Sequence, residues 1–252
     1  MSEWHEIGQS GNYRRTVTAY TPPGVVEVIG GGTTSFVGLL NDGKVLKYPI
    51  VQGESVKEFE VEAAIYEALG KHPHIIGYLG QTRFGIKLER GSRLTEHLGD
   101  GTDLSLKLQW VQQSAEGLRY LHSRGVLHCD LHPDNLLLDE KKNIKICDFQ
   151  GKMEKFDGTA LERVRYCLPR PEYIPSVQSD IFALGSTIFR IMTGCDPYQD
   201  VPEDEITAKY ERLEFPATNF ICGTQVRRCW QQKYSCVDEV ISELASTRLD
   251  GT

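Results

Sequence analysis

The chain has 252 residues, of which 40% are hydrophobic and 25% are charged, and this ordinary globular composition argues against a disordered protein. The formal charge of −7 argues against a nucleic-acid partner, because proteins that bind nucleic acids usually carry a basic face. No apolar run approaches the roughly 20 residues that are needed to cross a bilayer, so the sequence predicts no membrane partner.

Residues 1–24 are polar, and their acidic start does not resemble a signal peptide. Pro22 and Pro23 exclude a regular helix at the end of this stretch, so we interpret it as a leader. Seven cysteines are scattered along the chain without a CxxC pair, which favours reduced thiols over a disulfide framework. We therefore expect an intracellular, cytoplasmic protein, with the nucleus left open.

A glycine-rich segment between predicted β-strands comes next. Residues 25–29 are rich in β-branched side chains, residues 30–32 are all glycine, and a further strand over 44–48 follows the hairpin-turn signal of residues 41–43. Glycines let backbone amides approach a phosphate without interference from a Cβ atom. Taken alone, such a segment is more often an ordinary loop.

Two helices can be predicted from periodicity. Residues 54–69 are strong helix formers with Phe59, Ala63 and Tyr66 at helical spacing. Residues 104–123 give the clearest amphipathic pattern, with apolar residues at steps of three and four. Between them, residues 75–90 are typical of two strands with a turn at 83–85, and residues 94–98 are typical of a short helix.

The stretch from residue 128 to residue 151 holds most of the polar chemistry. Two short apolar runs, residues 136–138 and 144–146, predict the strands of a hairpin. Because a hairpin brings its outer ends together, we expect Asp130 and Asn135 to lie near Asp148. Two carboxylates and an amide provide oxygen ligands that suit Mg²⁺ and a phosphate.

The remaining third of the chain is predicted to be helical. Residues 179–194 indicate a long buried helix with Ser179 as its N-cap and Gly194 as its stop. We expect a further helix over about 203–213 and a single helix over residues 226–244.

Four of these segments resemble the protein kinase family. Residues 128–135 read His-Cys-Asp-Leu-His-Pro-Asp-Asn where the family has H-R-D-L-x-x-x-N, and residues 148–150 read Asp-Phe-Gln where it has D-F-G. Residues 29–37 resemble the glycine-rich lid, and residues 170–172, Arg-Pro-Glu, resemble the A-P-E segment.

The resemblance implies both a fold and an activity. The fold is α+β and two-lobed, with a small β-rich N-lobe and one main helix over residues 25–90, and a larger helical C-lobe over residues 91–252. The activity is that of an ATP-dependent protein kinase, Ser/Thr-directed, which uses Mg²⁺ and transfers the γ-phosphate to a hydroxyl of a protein substrate. The sequence does not indicate an oligomeric state.

The resemblance also assigns catalytic roles. Asp130 would orient the acceptor hydroxyl and take its proton, and Asn135 and Asp148 would hold Mg²⁺. Lys47 would clamp the α- and β-phosphates of ATP. Asp130, Lys47 and Asn135 are therefore the predicted catalytic residues.

Nucleotide binding is likewise implied by the resemblance. Glu62 is the best match for the glutamate that pairs with Lys47, and Glu58 lies one turn earlier on a similar face. Leu88 would be the gatekeeper behind the adenine, followed by a hinge over residues 89–91. The residues implied to bind the cofactor are Ile29, Gly30, Gly32, Val37, Val45, Lys47, Glu62, Leu88, Glu89, Leu137 and Asp148.

Three positions depart from the family pattern. Cys129 removes the arginine that meets a phosphate on the activation segment, so we expect activity to be independent of phosphorylation at Thr159 or Tyr166. His132 replaces a lysine that contacts the transferring phosphate, and a neutral histidine supplies little charge. Gln150 replaces a flexible glycine and should restrict movement of the preceding residues.

Alternatives to an active protein kinase stay open. The departures favour a pseudokinase that acts as a nucleotide-binding or scaffolding module, and the segment Asp-Leu-His-Pro also resembles small-molecule kinases of the aminoglycoside and choline type. A zinc site formed by His122, His128, Cys129 and His132 would lack the usual second ligand pair. The resemblance further implies that Asp180 bonds the backbone of the 128–135 loop, and it names no partner for Glu172.

Overall fold

In the computed structural model, the residues described are 3–7, 14–18, 20–32, 34–53, 56–99, 101–149, 151 and 162–247. The chain divides into two compact units. The first contains residues 1–67 and 77–90, and the second contains residues 68–76 and 91–252. The predicted α+β class is confirmed, because strands dominate the first unit and helices dominate the second.

The first unit begins with a pair of strands that the sequence did not reveal. Strands β1 (Glu3–Ile7) and β2 (Arg14–Thr18) pair in antiparallel fashion. Both lie within residues 1–24, which we interpreted only as a leader. Polar strands of five residues carry little periodic signal, which explains why the pattern alone missed them.

A five-stranded antiparallel sheet forms the body of the first unit. In spatial order its strands are β3 (Val25–Gly31), β4 (Ser35–Leu40), β5 (Val45–Pro49), β7 (Gly85–Leu88) and β6 (Tyr78–Thr82). Helix α1 (Val56–Leu69) follows β5, and its predicted apolar residues Phe59, Ala63 and Tyr66 are buried. The glycine-rich segment joins β3 to β4, as predicted.

The register of this sheet places four predicted cofactor-binding residues on one face. Val37 lies opposite Lys47 on the neighbouring strand, and Val45 lies opposite Leu88. Opposite residues of an antiparallel pair point to the same face, as do residues two apart on one strand. Lys47 and Val45 are two apart, so all four side chains share that face.

The second unit contains a small sheet that carries the predicted hairpin. Strands β8 (Ser92–Arg93), β9 (Leu136–Leu138) and β10 (Ile144–Ile146) form it in the order β10-β9-β8. The turn between β9 and β10 is closed by Asp139, whose carboxylate accepts the amides of Lys141 and Asn143 at 2.9 Å. Such local side-chain bonds are what make Asp favourable in turns.

Five helices complete the second unit among the described residues: α2 (Leu104–Ser123), α3 (Val177–Thr193), α4 (Glu203–Glu211), α5 (Gly223–Trp230) and α6 (Val237–Thr247). Short 3₁₀ helices cover Leu94–His97, Pro133–Asn135, Val164–Tyr166 and Pro171–Tyr173. Helix α2 has the predicted bounds. None of these helices is long and apolar enough to cross a bilayer, and all seven cysteines are free thiols.

Helix α3 forms the centre of the second unit, and its start differs from the prediction. Ser176 is the N-cap, and Ser179 lies at the third helical position, where the two residues form a reciprocal capping box. Gly194 ends the helix at φ 78°, as predicted. A Cβ atom at Gly185 would lie 2.6 Å from Cβ of Cys229, so this glycine permits the close approach of α3 and α5.

The prediction of one helix over residues 226–244 is wrong. Helix α5 ends at Trp230, and Gln232 adopts a left-handed conformation with φ 54°. Ser235 then donates from both its amide and its hydroxyl to Glu239, at 2.8 Å each, and α6 begins two residues after Ser235. These bonds offer the backbone a local alternative to a continuous helix.

Candidate active site

Lys47 and Glu62 form a buried ion pair within the first unit. Lys47 lies on β5 and Glu62 on the inner face of α1, and the Nζ–Oε2 distance is 2.6 Å. Both side chains are buried, whereas Glu58 is exposed. Glu62 is therefore the glutamate that contacts Lys47. The pair fixes the position of the ammonium group, which is what a phosphate clamp requires.

The glycine-rich turn has an open backbone. The amide of Gly32 donates to the carbonyl of Ser35 at 2.8 Å, and Gly30 lies opposite Val37 in the sheet. Apart from its chain neighbours, no atom of the described residues lies within 4 Å of the position that a Cβ of Gly32 would take. Ile29, two residues before the end of β3, is exposed. This geometry fits a backbone cradle for phosphates.

Leu88 and Glu89 occupy the end of β7. The Leu88 side chain is buried, and the amide of Glu89 donates to the carbonyl of Gly77 at 2.8 Å. The Glu89 side chain lies over Gly77, where a Cβ atom would come within 2.3 Å of Cδ of Glu89. The Glu89 amide is therefore used within the first unit.

Asp130 and Asn135 are brought together by the loop between α2 and β9. The Asn135 amide donates to the carbonyl oxygen of Asp130 at 2.9 Å and to its Oδ2 at 3.3 Å. The other carboxylate oxygen, Oδ1, is buried and has no hydrogen-bond partner within the described residues. A buried acceptor without a donor is costly, so this oxygen is suited to a hydroxyl that donates to it.

Asp148 lies at the other end of the β9–β10 hairpin, as predicted. The amide of Cys147 donates to the carbonyl of Asn135 at 3.0 Å, so the residue before Asp148 is bonded to Asn135. Asp148 has φ 66°, a conformation that Asp tolerates better than most residues. The Asn135 nitrogen donates to Asp130. The Asn135 oxygen and the Asp148 carboxylate are oxygen donors of the type that Mg²⁺ prefers. Leu137 lies half-buried on β9, on the face opposite its two buried neighbours.

Asp180 supports the loop from the first turn of α3. Its carboxylate accepts the amides of His128 at 2.8 Å and Cys129 at 3.0 Å, which is the contact that the resemblance implied. Nε2 of His122 lies 2.8 Å from the same carboxylate. Burial alone would raise the pKa of Asp180, but His122 and the backbone donors outweigh it and lower the pKa below its usual value.

The histidines considered for zinc have other contacts. His128 is fully buried, its ring packs edge-on against Phe149 at 5.5 Å, and burial lowers its pKa. His122 contacts Asp180, and Nδ1 of His132 accepts the amide of Asp134 at 3.2 Å. Within the part of the chain that the structure describes, no group of three or more His, Cys, Asp or Glu side chains could hold a metal ion.

A family model described as the protein kinase domain matches residues 26–247. The chain belongs to the protein kinase family. Its two units have the β-rich and helical characters of the two lobes of that fold. The site residues described above are therefore those of a kinase domain, and their individual roles are the subject of the proposals below.

Curated relatives of this kinase domain include serine/threonine-protein kinases from distant organisms. It is 27% identical to serine/threonine-protein kinase CTR1 of Arabidopsis thaliana over 74% of this chain and 26% of the relative. It is also 27% identical to serine/threonine-protein kinase PrkC of Bacillus subtilis over 77% of this chain and 34% of the relative. For CBL-interacting serine/threonine-protein kinase 5 of Arabidopsis thaliana the identity is 27%, over 75% and 45% respectively. The chain thus spans less than half the length of each.

Tyr166 cannot serve as an accessible phosphorylation site in this kinase domain. Its side chain is 4% exposed, and its hydroxyl donates to Asp196 at 2.5 Å. Burial, followed by the charge of Asp196, raises the pKa of Tyr166 well above its usual value. The expectation that activity does not depend on phosphorylation of Tyr166 stays a prediction, and burial of its hydroxyl favours it. Thr159 and Gln150 lie outside the described residues.

A second buried ion pair was missed by the sequence. Nη2 of Arg170 lies 2.7 Å from Oε2 of Glu162, and the two side chains are 10% and 3% exposed. Arg170 also donates to the carbonyls of three residues, Leu168, Tyr173 and Ile174. Glu172, for which no partner could be named, is exposed with φ 53°. The arginine in place of the family's alanine was the only signal for this pair.

Proposed function

We propose that this kinase domain is an ATP-dependent protein kinase that transfers the γ-phosphate of ATP to a serine or threonine hydroxyl. The observation that carries the proposal is the environment of Asp130. Asn135 holds one of its carboxylate oxygens, whereas Oδ1 has no partner within the described chain. A general base needs a carboxylate that is fixed within hydrogen-bond reach of the hydroxyl it activates, and the Asn135 contact fixes this one.

The remaining roles follow from the chemistry of the donors. Lys47, fixed by Glu62, would neutralise charge on the α- and β-phosphates, and the oxygens of Asn135 and Asp148 would hold Mg²⁺. When bound, the metal would neutralise charge that develops on the phosphate oxygens. Phosphoryl transfer passes through a loose transition state, so positioning and charge neutralisation provide most of the rate enhancement. Asp130 would orient the acceptor hydroxyl and take its proton.

A protein substrate is supported by the segment that precedes α3. Residues 162–174 are held by the Glu162–Arg170 pair and by the Tyr166–Asp196 bond, and residues 170–172 and α3 carry the segments that resemble protein kinases rather than small-molecule kinases. The relatives that match this chain are named as serine/threonine-protein kinases. Both points favour Ser/Thr-directed protein phosphorylation over the small-molecule alternative.

The second candidate function is that of a pseudokinase that binds nucleotide or acts as a scaffold. One observation favours it: His132 stands where the family has a lysine, and its side chain is only 2% exposed. A buried imidazole thus replaces the lysine ammonium group that would neutralise the transferring phosphate. This reading predicts binding of ATP, or of a partner protein, with little or no phosphate transfer.

Two measurements separate these functions. A thermal shift with ATP and Mg²⁺ tests nucleotide binding, with Lys47→Met as the variant that should lose the shift. Transfer of radiolabelled phosphate to an array of Ser, Thr and Tyr peptides then tests the reaction and the acceptor. Asp130→Asn should reduce transfer by about 10²–10⁴-fold while preserving the thermal shift. Equal transfer by wild type and Asp130→Asn would refute the enzyme function, and a shift without any transfer would support the pseudokinase.

A further inference from the structure

The carboxylate of Asp134 is held by two donors from outside its own loop. Its Oδ1 accepts a hydrogen bond from Oγ1 of Thr95 at 3.2 Å, and its Oδ2 accepts one from Nη1 of Arg163 at 2.6 Å. Burial alone would raise the pKa of Asp134, but Arg163 and further contacts outweigh it and lower the pKa. Asp134 is therefore ionised at neutral pH, and Arg163 provides a cation beside it.

This ion pair lies close to the proposed base. Asn135, the residue after Asp134, donates to Asp130. The ring of His132 is close to both carboxylates, with Nε2 at 3.4 Å from Oδ2 of Asp130 and Nδ1 at 3.8 Å from Oδ2 of Asp134. One imidazole thus separates the ion pair from the carboxylate that would receive the substrate hydroxyl.

The ion pair is also open to solvent. The side chains of Arg163 and Asp134 are 54% and 39% exposed, although both chain neighbours of Asp134 are buried. A substrate whose hydroxyl reaches Asp130 extends over the surrounding surface, and each of its residues spans about 3.3–3.6 Å. Side chains within two or three positions of that hydroxyl therefore come within reach of the ion pair.

The presence of Arg163 changes which side chains this surface accepts. A carboxylate alone would favour a basic residue of the substrate, because charge complementarity selects partners. An incoming arginine can bind this carboxylate only by displacing Arg163, so one charge-assisted hydrogen bond replaces another without a net gain. If Arg163 stays in place, the second cation lies beside it, and like charges in contact are unfavourable.

We propose that Arg163 is a specificity-determining residue that occupies Asp134 and excludes lysine and arginine from the substrate positions next to the acceptor hydroxyl. The substrate is then a protein segment that is neutral or acidic around its serine or threonine. This inference rests on the proposed function, because it assigns Arg163 a role toward the acceptor of that reaction.

Phosphate transfer to paired peptides tests the exclusion. The peptides of a pair differ at one position within three residues of the acceptor serine, where one has arginine and the other glutamine. Arg163→Met frees the carboxylate of Asp134. The arginine-to-glutamine ratio of kcat/KM should therefore rise about 2- to 5-fold at one or more positions, which is the range for an exposed charge pair. At those positions the wild type should show no preference for arginine.

Two further variants are the controls. Arg163→Lys keeps a cation beside Asp134 and should keep the wild-type ratio. Adding Asp134→Asn to Arg163→Met removes the freed carboxylate, so the gain for arginine should disappear. An unchanged ratio in Arg163→Met at every position, or a gain that persists in the double variant, would overturn the proposal. An exposed ion pair contributes little to stability, and melting temperatures confirm that the variants fold.

The formal charge of −7 attracts basic peptides to the whole chain. Salt screens this long-range attraction, so the assays are run at physiological ionic strength. Each peptide pair is compared across all variants, which cancels the part of the attraction that the variants share.

Peptide binding separates failure of this inference from failure of the proposed function, because it needs no activity. The backbone amide of Asn135 is followed in ¹H–¹⁵N spectra while each peptide is added up to millimolar concentration. In Arg163→Met, the arginine peptide of at least one pair should shift this resonance more than its glutamine counterpart. Both peptides should act equally in the wild type and in the double variant. If no phosphate is transferred, this pattern still supports the exclusion by Arg163, and equal shifts by both peptides of every pair in Arg163→Met overturn it.

Discussion

Replacing Arg170 by methionine should destabilise the segment that precedes α3 more than any other single change to that segment. The substitution leaves the Glu162 carboxylate, 3% exposed, without its cation at 2.7 Å. Breaking a buried ion pair from one side typically costs about 3–5 kcal/mol. The carbonyls of Leu168, Tyr173 and Ile174 also lose a donor. Tyr173 and Ile174 are exposed, so water can replace the donor there at little cost, whereas Leu168 is buried and its carbonyl adds to the loss.

Substituting Glu162, the partner of Arg170, should lower the free energy of unfolding by less. Glu162→Gln keeps a hydrogen-bond acceptor at the same place, and Arg170 retains its three carbonyl partners. Loss of the Glu162 charge alone should then lower the free energy of unfolding by about 1–2 kcal/mol. Replacing both residues by apolar ones of similar size should cost less than Arg170→Met alone, because no uncompensated charge is left in the interior.

The destabilisation caused by Arg170→Met should depend on pH. Burial raises the pKa of Glu162 above its usual value, even though Arg170 opposes the shift. A raised carboxyl pKa means that the contribution to stability is full at low pH and is lost as the pH rises through the folded-state pKa. Removing Arg170 raises this pKa further. The destabilisation in Arg170→Met should therefore be largest above neutral pH and shrink as the medium is acidified.

Urea unfolding at several pH values measures the loss in the free energy of global unfolding. Amide hydrogen exchange over residues 162–174 measures the local opening of that segment. Faster exchange confined to that segment would locate the effect. Equal losses in Arg170→Met and Glu162→Gln, or a loss in Arg170→Met that grows on acidification, would refute the reasoning.

Three further predictions concern packing. Gly151→Ala should destabilise the chain by about 3 kcal/mol or prevent folding, because its Cβ atom would lie 1.8 Å from the carbonyl oxygen of Leu127. Gly99→Ala is the matched control, because apart from its chain neighbours no atom of the described residues lies within 4 Å of the new Cβ. Equal melting temperatures of the two variants would contradict this prediction. Tyr166→Phe should cost about 1–2 kcal/mol in urea unfolding through the lost bond to Asp196, and an unchanged midpoint would argue against that bond. Trp230→Phe should cost about 1–3 kcal/mol, from the lost indole bond and a smaller ring in a buried site; no change in calorimetry would contradict it.

Elements with a strong local signal were predicted well. Helix α2 has the predicted bounds because its apolar spacing is regular and Asp103 provides a side-chain cap. The β9–β10 hairpin is confirmed, since two short apolar runs flank a turn that Asp139 closes. Both signals come from residues that are close in sequence.

Features that depend on particular hydrogen bonds, ion pairs and backbone conformations, rather than on apolar spacing, were missed. The break between α5 and α6 rests on a left-handed Gln232 and on the bonds of Ser235 with Glu239, which periodicity does not show. The predicted start of α3 differs from the observed one because Ser176 and Ser179 are both good N-caps. The Glu162–Arg170 pair has no local signature, because each residue alone is typical of an exposed charge.

For the site, the resemblance predicted residues that the structure brings into contact within each unit. Lys47 contacts Glu62, Asp130 contacts Asn135, and Asp180 contacts the backbone of the 128–135 loop. The contacts of His132 with Asp130 and Asp134 were not predicted, since they depend on the direction of a ring that sequence spacing does not give.

The single carboxylate of Asp180 links three parts of the second unit. Its donors come from the end of α2 and from two consecutive residues of the loop that carries Asp130. A substitution that destabilises the first turn of α3 would therefore also destabilise that loop, although it alters no residue assigned to substrate or metal. We expect temperature-sensitive alleles of this kinase domain to concentrate there, with the loop failing at a lower temperature than the helices around it.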